Sequence, residues 1–223
     1  GSTRPPLPRA IVVSPDDAWA VVVSDQGISP FQPEALASTQ LSGVPTTKLA
    51  GATAAAFSPD GRTLAVLAGP SWSTLDCRNP AATPSQYYLF NIDVATGTLN
   101  LTSGPTKAPL SSTDVAFDRD GTLLFAVPCS TMPNTSGIAR TDGTMLVAAP
   151  GIYDVVIAGD RVMGVENVVT TVDSATDTDD SGVRGELLVM GPGQARAPAA
   201  FEIPADRIGL GDSAVQLRLQ PAT

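Results

Sequence analysis

The sequence predicts an all-β fold, and three observations carry the prediction. First, a strand–turn–strand unit recurs: "AAFSPDGRTLAVLA" at 55–68 returns as "VAFDRDGTLLFAVP" at 115–128. Second, looser copies of its turn stand at Ser14-Pro15-Asp16-Asp17, Ala158-Gly159-Asp160-Arg161 and Leu210-Gly211-Asp212-Ser213, giving turn-to-turn spacings of 44, 60, 40 and 52 residues. Hairpins repeated at that period are the mark of propeller blades. Third, Val21-Val22-Val23 and Leu64-Ala65-Val66-Leu67 are continuous apolar runs. An antiparallel strand with one wet face alternates instead, so these strands are expected to be covered on both faces. Together these imply a β-propeller of four to five blades, whole or part of a larger one. A two-layer β-sandwich is the alternative.

The chain is expected to open with a lead-in at 1–9, where Gly1-Ser2 reads as a cloning remnant before a Pro-rich stretch. Residues 10–223 then form a single domain. Its inner hairpins lie near 10–24, 54–68, 114–128, 154–167 and 207–219. In the second, Pro59 pre-sets φ, Asp60 suits the next position, and Gly61 supplies a left-handed residue. In the first, Asp17 stands where the Gly would be, and Asp tolerates that region better than most residues. Outer hairpins follow at 87–102, 137–149 and 185–203, so each unit holds about four strands, one blade. The stretch after the first hairpin, "SDQGISPFQPEALASTQLSGVPTTKL", holds three prolines and shows no clean pair of strands.

The string "AFSPDGRTLAVL" resembles the repeat of bacterial WD40-like and TolB-like β-propellers. The resemblance covers the inner hairpins of four units and implies the fold. The outer strands lack the Gly-His and Trp-Asp pairs of true WD40 repeats, so it does not extend to that class. It carries over no site residue. Families of this kind include protein-binding scaffolds, periplasmic adaptors and some enzymes, and the fold alone does not choose among them.

Charge and composition narrow the partners. The chain has 223 residues, a net charge of −9 and only 13 Lys and Arg. A nucleic-acid partner calls for a basic face, so none is expected. No apolar run is long enough to span a bilayer, so no membrane insertion is expected. Eleven Arg against two Lys, with abundant Ala and Pro, point to a bacterial source of high GC content. The fifth unit is incomplete, which leaves two explanations: a small propeller closed by its terminal strands, the last segment pairing beside the first unit, or a domain excised from a longer protein that pairs with the rest of it; the second is the expectation.

Two cysteines follow equivalent strands of neighbouring units. Cys77 and Cys129 are therefore expected to form a disulfide, closing a loop of about 50 residues and adding roughly 3–4 kcal/mol. Such a bridge places the protein outside the cytosol, in the periplasm, at the cell surface or in the medium. Two buried thiols are the alternative.

The chain contains no histidine. That removes Ser-His-Asp and Cys-His catalysis and His-ligated zinc, and no catalytic residue is assigned. No cofactor is expected, with calcium the one candidate. In "TVDSATDTDDSGVRGE" at 171–186, Asp177, Asp179 and Ser181 alternate and Gly182 follows at the sixth position, as in the first half of a calcium loop. The twelfth position is Leu188 rather than a bidentate Glu. Glu186 comes two residues early, and Asp173 is a further oxygen upstream. A solvated acidic loop is the plainer alternative.

The long loop 69–88 carries Trp72, Tyr87 and Tyr88 among Ser, Pro and Asn. Polar loops with aromatics on a rigid β scaffold commonly carry recognition. Trp72 and Tyr87 are the candidate partner contacts, while Tyr88 and Trp19 read as core. The expected function is a non-catalytic, extracytoplasmic binding or scaffold domain that presents loops to a protein or glycan. Two alternatives stand beside it: a structural or assembly domain of a larger surface protein, and a calcium-dependent hydrolase working with carboxylates.

Overall fold

The computed structural model describes residues 8–33, 47–70, 75, 77, 79, 84–93, 95–130, 135–148, 151–158, 161–169, 183–190 and 197–201. Among these, sixteen strands form four separate sheets of four. The first sheet holds β1 (Pro8–Val13), β2 (Ala20–Ser24), β3 (Gly27–Phe31) and β4 (Thr47–Lys48). The second holds β5 (Ala52–Phe57), β6 (Thr63–Ala68), β7 (Gln86–Ile92) and β8 (Leu99–Lys107). The third holds β9 (Asp114–Phe117), β10 (Leu123–Val127), β11 (Gly137–Arg140) and β12 (Met145–Ala148). The fourth holds β13 (Ile152–Ala158), β14 (Arg161–Val169), β15 (Val183–Met190) and β16 (Ala197–Phe201). Every sheet is a simple antiparallel meander in chain order.

The turns explain why the hairpins form. In the second sheet Ser58 O accepts from Gly61 N (2.9 Å), so it is already engaged within the turn. The Ser58 hydroxyl accepts from Thr63 N instead, at 2.9 Å, and donates to Asp60 Oδ1 at 2.6 Å. The first sheet repeats this arrangement: Trp19 N donates to Ser14 Oγ at 2.9 Å, and Ser14 Oγ donates to Asp16 Oδ1 at 2.6 Å. Gly61 has φ +69° and Asp17, at the same place, φ +57°. In the third sheet Asp118 replaces the Ser, and its own carboxylate accepts from Asp120 N and Thr122 N.

The four sheets pack face to face in a row. Val12, Val21, Val23 and Ile28 of the first meet Ala55, Leu64, Val66 and Phe90 of the second. The other face of the second, with Ala54, Ala65 and Leu67, meets Val115, Leu123, Phe125 and Val127 of the third. Ala116, Leu124 and Ile138 on the far face of the third meet Ile152 and Val155 of the fourth. The run Leu64–Leu67 is thus apolar throughout because its odd and even members serve two different cores, and all four side chains are fully buried. Among the described residues the row is open.

Several expectations change here. Four sheets in series exclude the two-layer sandwich. The first unit does complete itself: β3 pairs with β2 along its whole length, Pro30 included, and a two-residue β4 pairs with Gly27 and Ile28. The first strand starts at Pro8, inside the expected lead-in. The fifth hairpin, 207–219, lies outside the described residues.

Candidate functional site

A row of meanders has two unlike ends. At one end lie the turns just described, together with those of the outer hairpins. At the other lie the links between sheets (49–51, 108–113, 149–151) and the links from second to third strand (25–26, 69–85, 128–136). Val169 and Val183, which flank 170–182, are paired at that same end. The segments 69–85, 128–136 and 170–182 are therefore all anchored at this end, whereas 32–46, between β3 and β4, is anchored at the other.

Cys77 and Cys129 join two of these loops as a disulfide, with Cα atoms 5.4 Å apart across 52 residues of sequence. Cys77 is exposed and Cys129 half-buried. The bridge ties the second sheet to the third above their cores.

Beneath it runs a buried polar seam that sequence reasoning did not single out. Ser111 and Ser112 are fully buried, and Thr113 and Asp114 nearly so. Ser111 has φ +58°, a left-handed conformation at a residue other than Gly. Its hydroxyl sits 2.5 Å from the Cys129 carbonyl and 2.6 Å from that of Leu110. Ser112 Oγ donates to Pro109 O at 2.6 Å, and Ser85 Oγ donates to Ser112 O at 3.2 Å. Thr113 Oγ1 donates to Tyr153 O at 2.7 Å, and Asp114 Oδ2 accepts from Val155 N at 3.0 Å. The seam thus couples the second, third and fourth sheets through groups satisfied by one another, as buried polar groups must be. The one legible signal was the unbroken polar run Ser111-Ser112-Thr113-Asp114 at a point where an apolar strand begins.

The same turn holds Leu110 out into solvent, 43 % exposed. Its backbone is fixed on the following side by Ser111 and by the Ser112 N to Pro109 O bond.

Of the aromatic candidates, Trp72 lies outside the described residues. Tyr87, on β7, packs its ring against Phe125 of the third sheet with centroids 5.5 Å apart, and is half-buried. Its ring serves the core between the second and third sheets. Tyr88 packs into the core between the first and second sheets, and Trp19 is buried, as expected.

Of the calcium candidates, Asp173, Asp177, Asp179 and Ser181 lie outside the described residues. Glu186 lies on β15, paired in register with Glu166 on β14. Among the described residues no three acidic or cysteine side chains gather as metal ligands. On the innermost strands, Asp114 and Asp154 hold equivalent places in the third and fourth sheets, each four residues before its hairpin turn.

The opposite end carries an open depression of about 530 Å³ lined by Asp60, Arg62, Thr63, Asn91 and Ile92. The Asp60 carboxyl is held below its ordinary range, first by the Ser58 hydroxyl and then by Arg62 N–H. Asp16 is lowered likewise by the Ser14 hydroxyl and Ala18 N–H, and Asp142 by the hydroxyl and N–H of Thr144. These shifts belong to turn construction.

No protein-family model matches the chain, and no curated protein matches it. Solved structures resemble it in strand arrangement. TolB from Acinetobacter baumannii matches at 16 % identity and TM-score 0.47, over 91 % of this chain and 44 % of that one. U3-55K matches at 14 % identity and TM-score 0.45, over 88 % and 53 %. The β-propeller domain of the Trilobed protease from Pyrococcus furiosus matches at 11 % identity and TM-score 0.40, over 88 % and 58 %. The chain spans about half the length of these structures. The fold assignment rests on the four stacked sheets themselves.

Proposed function

We propose that this chain is a propeller-type binding or scaffold module that works outside the cytosol. It engages a protein or glycan partner through the end that bears the clasped loops. The observation that carries the reading is the disulfide across loops 69–85 and 128–136, beside an exposed Leu110 on a backbone pinned by Ser111. A pre-ordered loop surface loses little entropy on binding, and an exposed apolar side chain on a fixed backbone offers contact area with little further ordering cost. A structural disulfide belongs to oxidising compartments, which supports an extracytoplasmic site. The absence of histidine from the sequence supports a non-catalytic role.

The test uses a phage-displayed peptide library and an immobilised glycan panel, each selected against the oxidised protein. Ligands are expected, and they are expected to bind at least about tenfold more weakly to Leu110→Arg and Trp72→Ala, the scale of one anchor contact. Leu146→Arg, on the fourth strand of the third sheet, is expected to leave them within twofold. Failure to select any ligand, or equal losses in all three variants, overturns the reading. Calorimetric titration with Ca²⁺ tests the hydrolase alternative: millimolar calcium is expected to give neither heat nor a shift in Tm.

A further inference from the structure

The dipeptide Asp-Gly occurs three times, at Asp60-Gly61, Asp120-Gly121 and Asp142-Gly143. It is open to an internal reaction, because a Gly amide brings no side chain of its own to block approach to the preceding carboxyl group. All three pairs sit in hairpin turns with the same main-chain bond. Gly61 N donates to Ser58 O at 2.9 Å, Gly121 N to Asp118 O at 3.0 Å and Gly143 N to Arg140 O at 2.9 Å. All three aspartates are exposed. What differs is the carboxylate.

Asp60 Oδ1 accepts from the Ser58 hydroxyl at 2.6 Å and from Arg62 N at 3.1 Å. Asp142 Oδ1 accepts from the hydroxyl and the N–H of Thr144, at 2.6 and 2.9 Å. These bonds hold both groups in the ionised form, which does not react. Asp120 has no such support. Thr122 N stands where Thr144 N stands, but it donates to Asp118 Oδ1 at 2.8 Å, and so does Asp120 N at 3.0 Å. The aspartate at the first turn position thus takes the donor that would hold the third. Among the described residues the Asp120 carboxylate accepts no hydrogen bond. Gly61 is also buried against Pro15, whereas Gly121 is exposed with open space around it.

We propose that Asp120-Gly121 is a site of spontaneous modification, the Asp-Gly turn at which the folded protein forms isoaspartate fastest. Gly121 N attacks Cγ of the protonated Asp120 carboxyl group. The N–Cγ bond forms, the Cγ–OH bond breaks, and the amide proton leaves with the hydroxyl as water. Water then opens the cyclic imide at either carbonyl carbon. Breaking the N–Cγ bond restores aspartate; breaking the bond from N to the main-chain carbonyl carbon leaves the chain running through Cγ. One water is lost and one regained, so the mass is unchanged, and no oxidant, reductant or cofactor enters. The product lengthens the main chain by one carbon in the turn that leads into β10, whose side chains are all buried.

The test incubates the full, oxidised chain in mildly acidic buffer at physiological temperature and maps its tryptic peptides. Isoaspartate is read by enzymatic methyl transfer from S-adenosylmethionine to its α-carboxylate. It is expected at position 120 at least about fivefold faster than at 60 or 142, whose carboxylates must first give up charge-assisted bonds. In urea, with the chain unfolded, all three positions are expected to react at similar rates. Asp118→Arg copies the Arg140 turn and returns Thr122 N to Asp120. It is expected to slow position 120 at least about threefold and to leave position 60 unchanged. Equal rates at the three positions in the folded protein overturn the proposal. So does a lead at position 120 that survives urea undiminished, or an unslowed Asp118→Arg protein with native circular dichroism. The comparison of folded with unfolded chain needs no variant, so it decides even where Asp118→Arg does not fold. No ligand enters these readouts, so the binding function is tested separately.

Discussion

Single glycines and serines set how sharply each hairpin is specified. Gly97 and Gly121 both occupy left-handed turn positions, with φ +69° and +79°. A Cβ at Gly121 would meet nothing within 4 Å, whereas a Cβ at Gly97 would collide with the Trp19 ring. Gly121→Ala is therefore expected to cost about 1 kcal/mol, the backbone strain alone. Gly97→Ala is expected to cost about 1–3 kcal/mol more, because an over-packed site must displace a buried indole. Urea unfolding of the pair checks this, and equal losses would show that Trp19 does not rest on that turn. The turn carboxylates give a pH dependence with a definite sign. Asp16, Asp60 and Asp142 all have folded pKa values below their unfolded ones. The stability they add is present above the unfolded pKa, near 3.9, and is lost as pH falls through the folded values. Tm is expected to be flat from pH 7 to 5 and to fall below about pH 4. The fall should be shallower in Asp60→Asn, as measured by calorimetry across that range.

Strands, hairpins and loops differ in how much of their form the sequence announced. The first three inner hairpins were legible because each turn has its own chemistry: a Ser or Asp oxygen that replaces a backbone acceptor, and a residue that takes positive φ. The stretch 25–50 was not, because β3 is short, contains Pro30 and pairs with a β4 of two residues. Neither strand offers a period to count. The Ser111–Asp114 seam was hidden for another reason. Its polar groups find partners on other sheets, at Ser85, Tyr153 and Val155, and sequence spacing does not encode contacts of that range. The disulfide was readable because both cysteines follow equivalent strands. Reduction is expected to remove about 3–4 kcal/mol by freeing a loop of 52 residues in the unfolded chain. Because Cys77 is exposed, reductant should act on the folded protein. The far-ultraviolet circular dichroism is expected to stay unchanged while Tm drops by several degrees. Loss of β signal on reduction would mean that the bridge holds the sheets and not merely the loops.

Across the whole molecule, stability should be graded by position within each sheet. β6 and β10 are hydrogen-bonded along both edges and covered on both faces, with every side chain from Leu64 to Leu67 and from Leu123 to Val127 buried. β8 and β12 are outermost, paired on one edge, and mostly exposed or alternating in burial. Opening an outer strand breaks one ladder and uncovers little apolar surface; opening β6 dismantles two cores at once. Native-state hydrogen exchange should therefore separate them. Amides of β6 and β10 are expected to exchange only through global unfolding, with a steep dependence on denaturant. Those of β8 and β12 should exchange through local opening, at least about a hundredfold faster and nearly independent of denaturant. The ordering depends only on position within a sheet. Equal protection in β6 and β8 would mean that the outer strands are covered by something beyond the four sheets, and the row would then be the inner layer of a larger body.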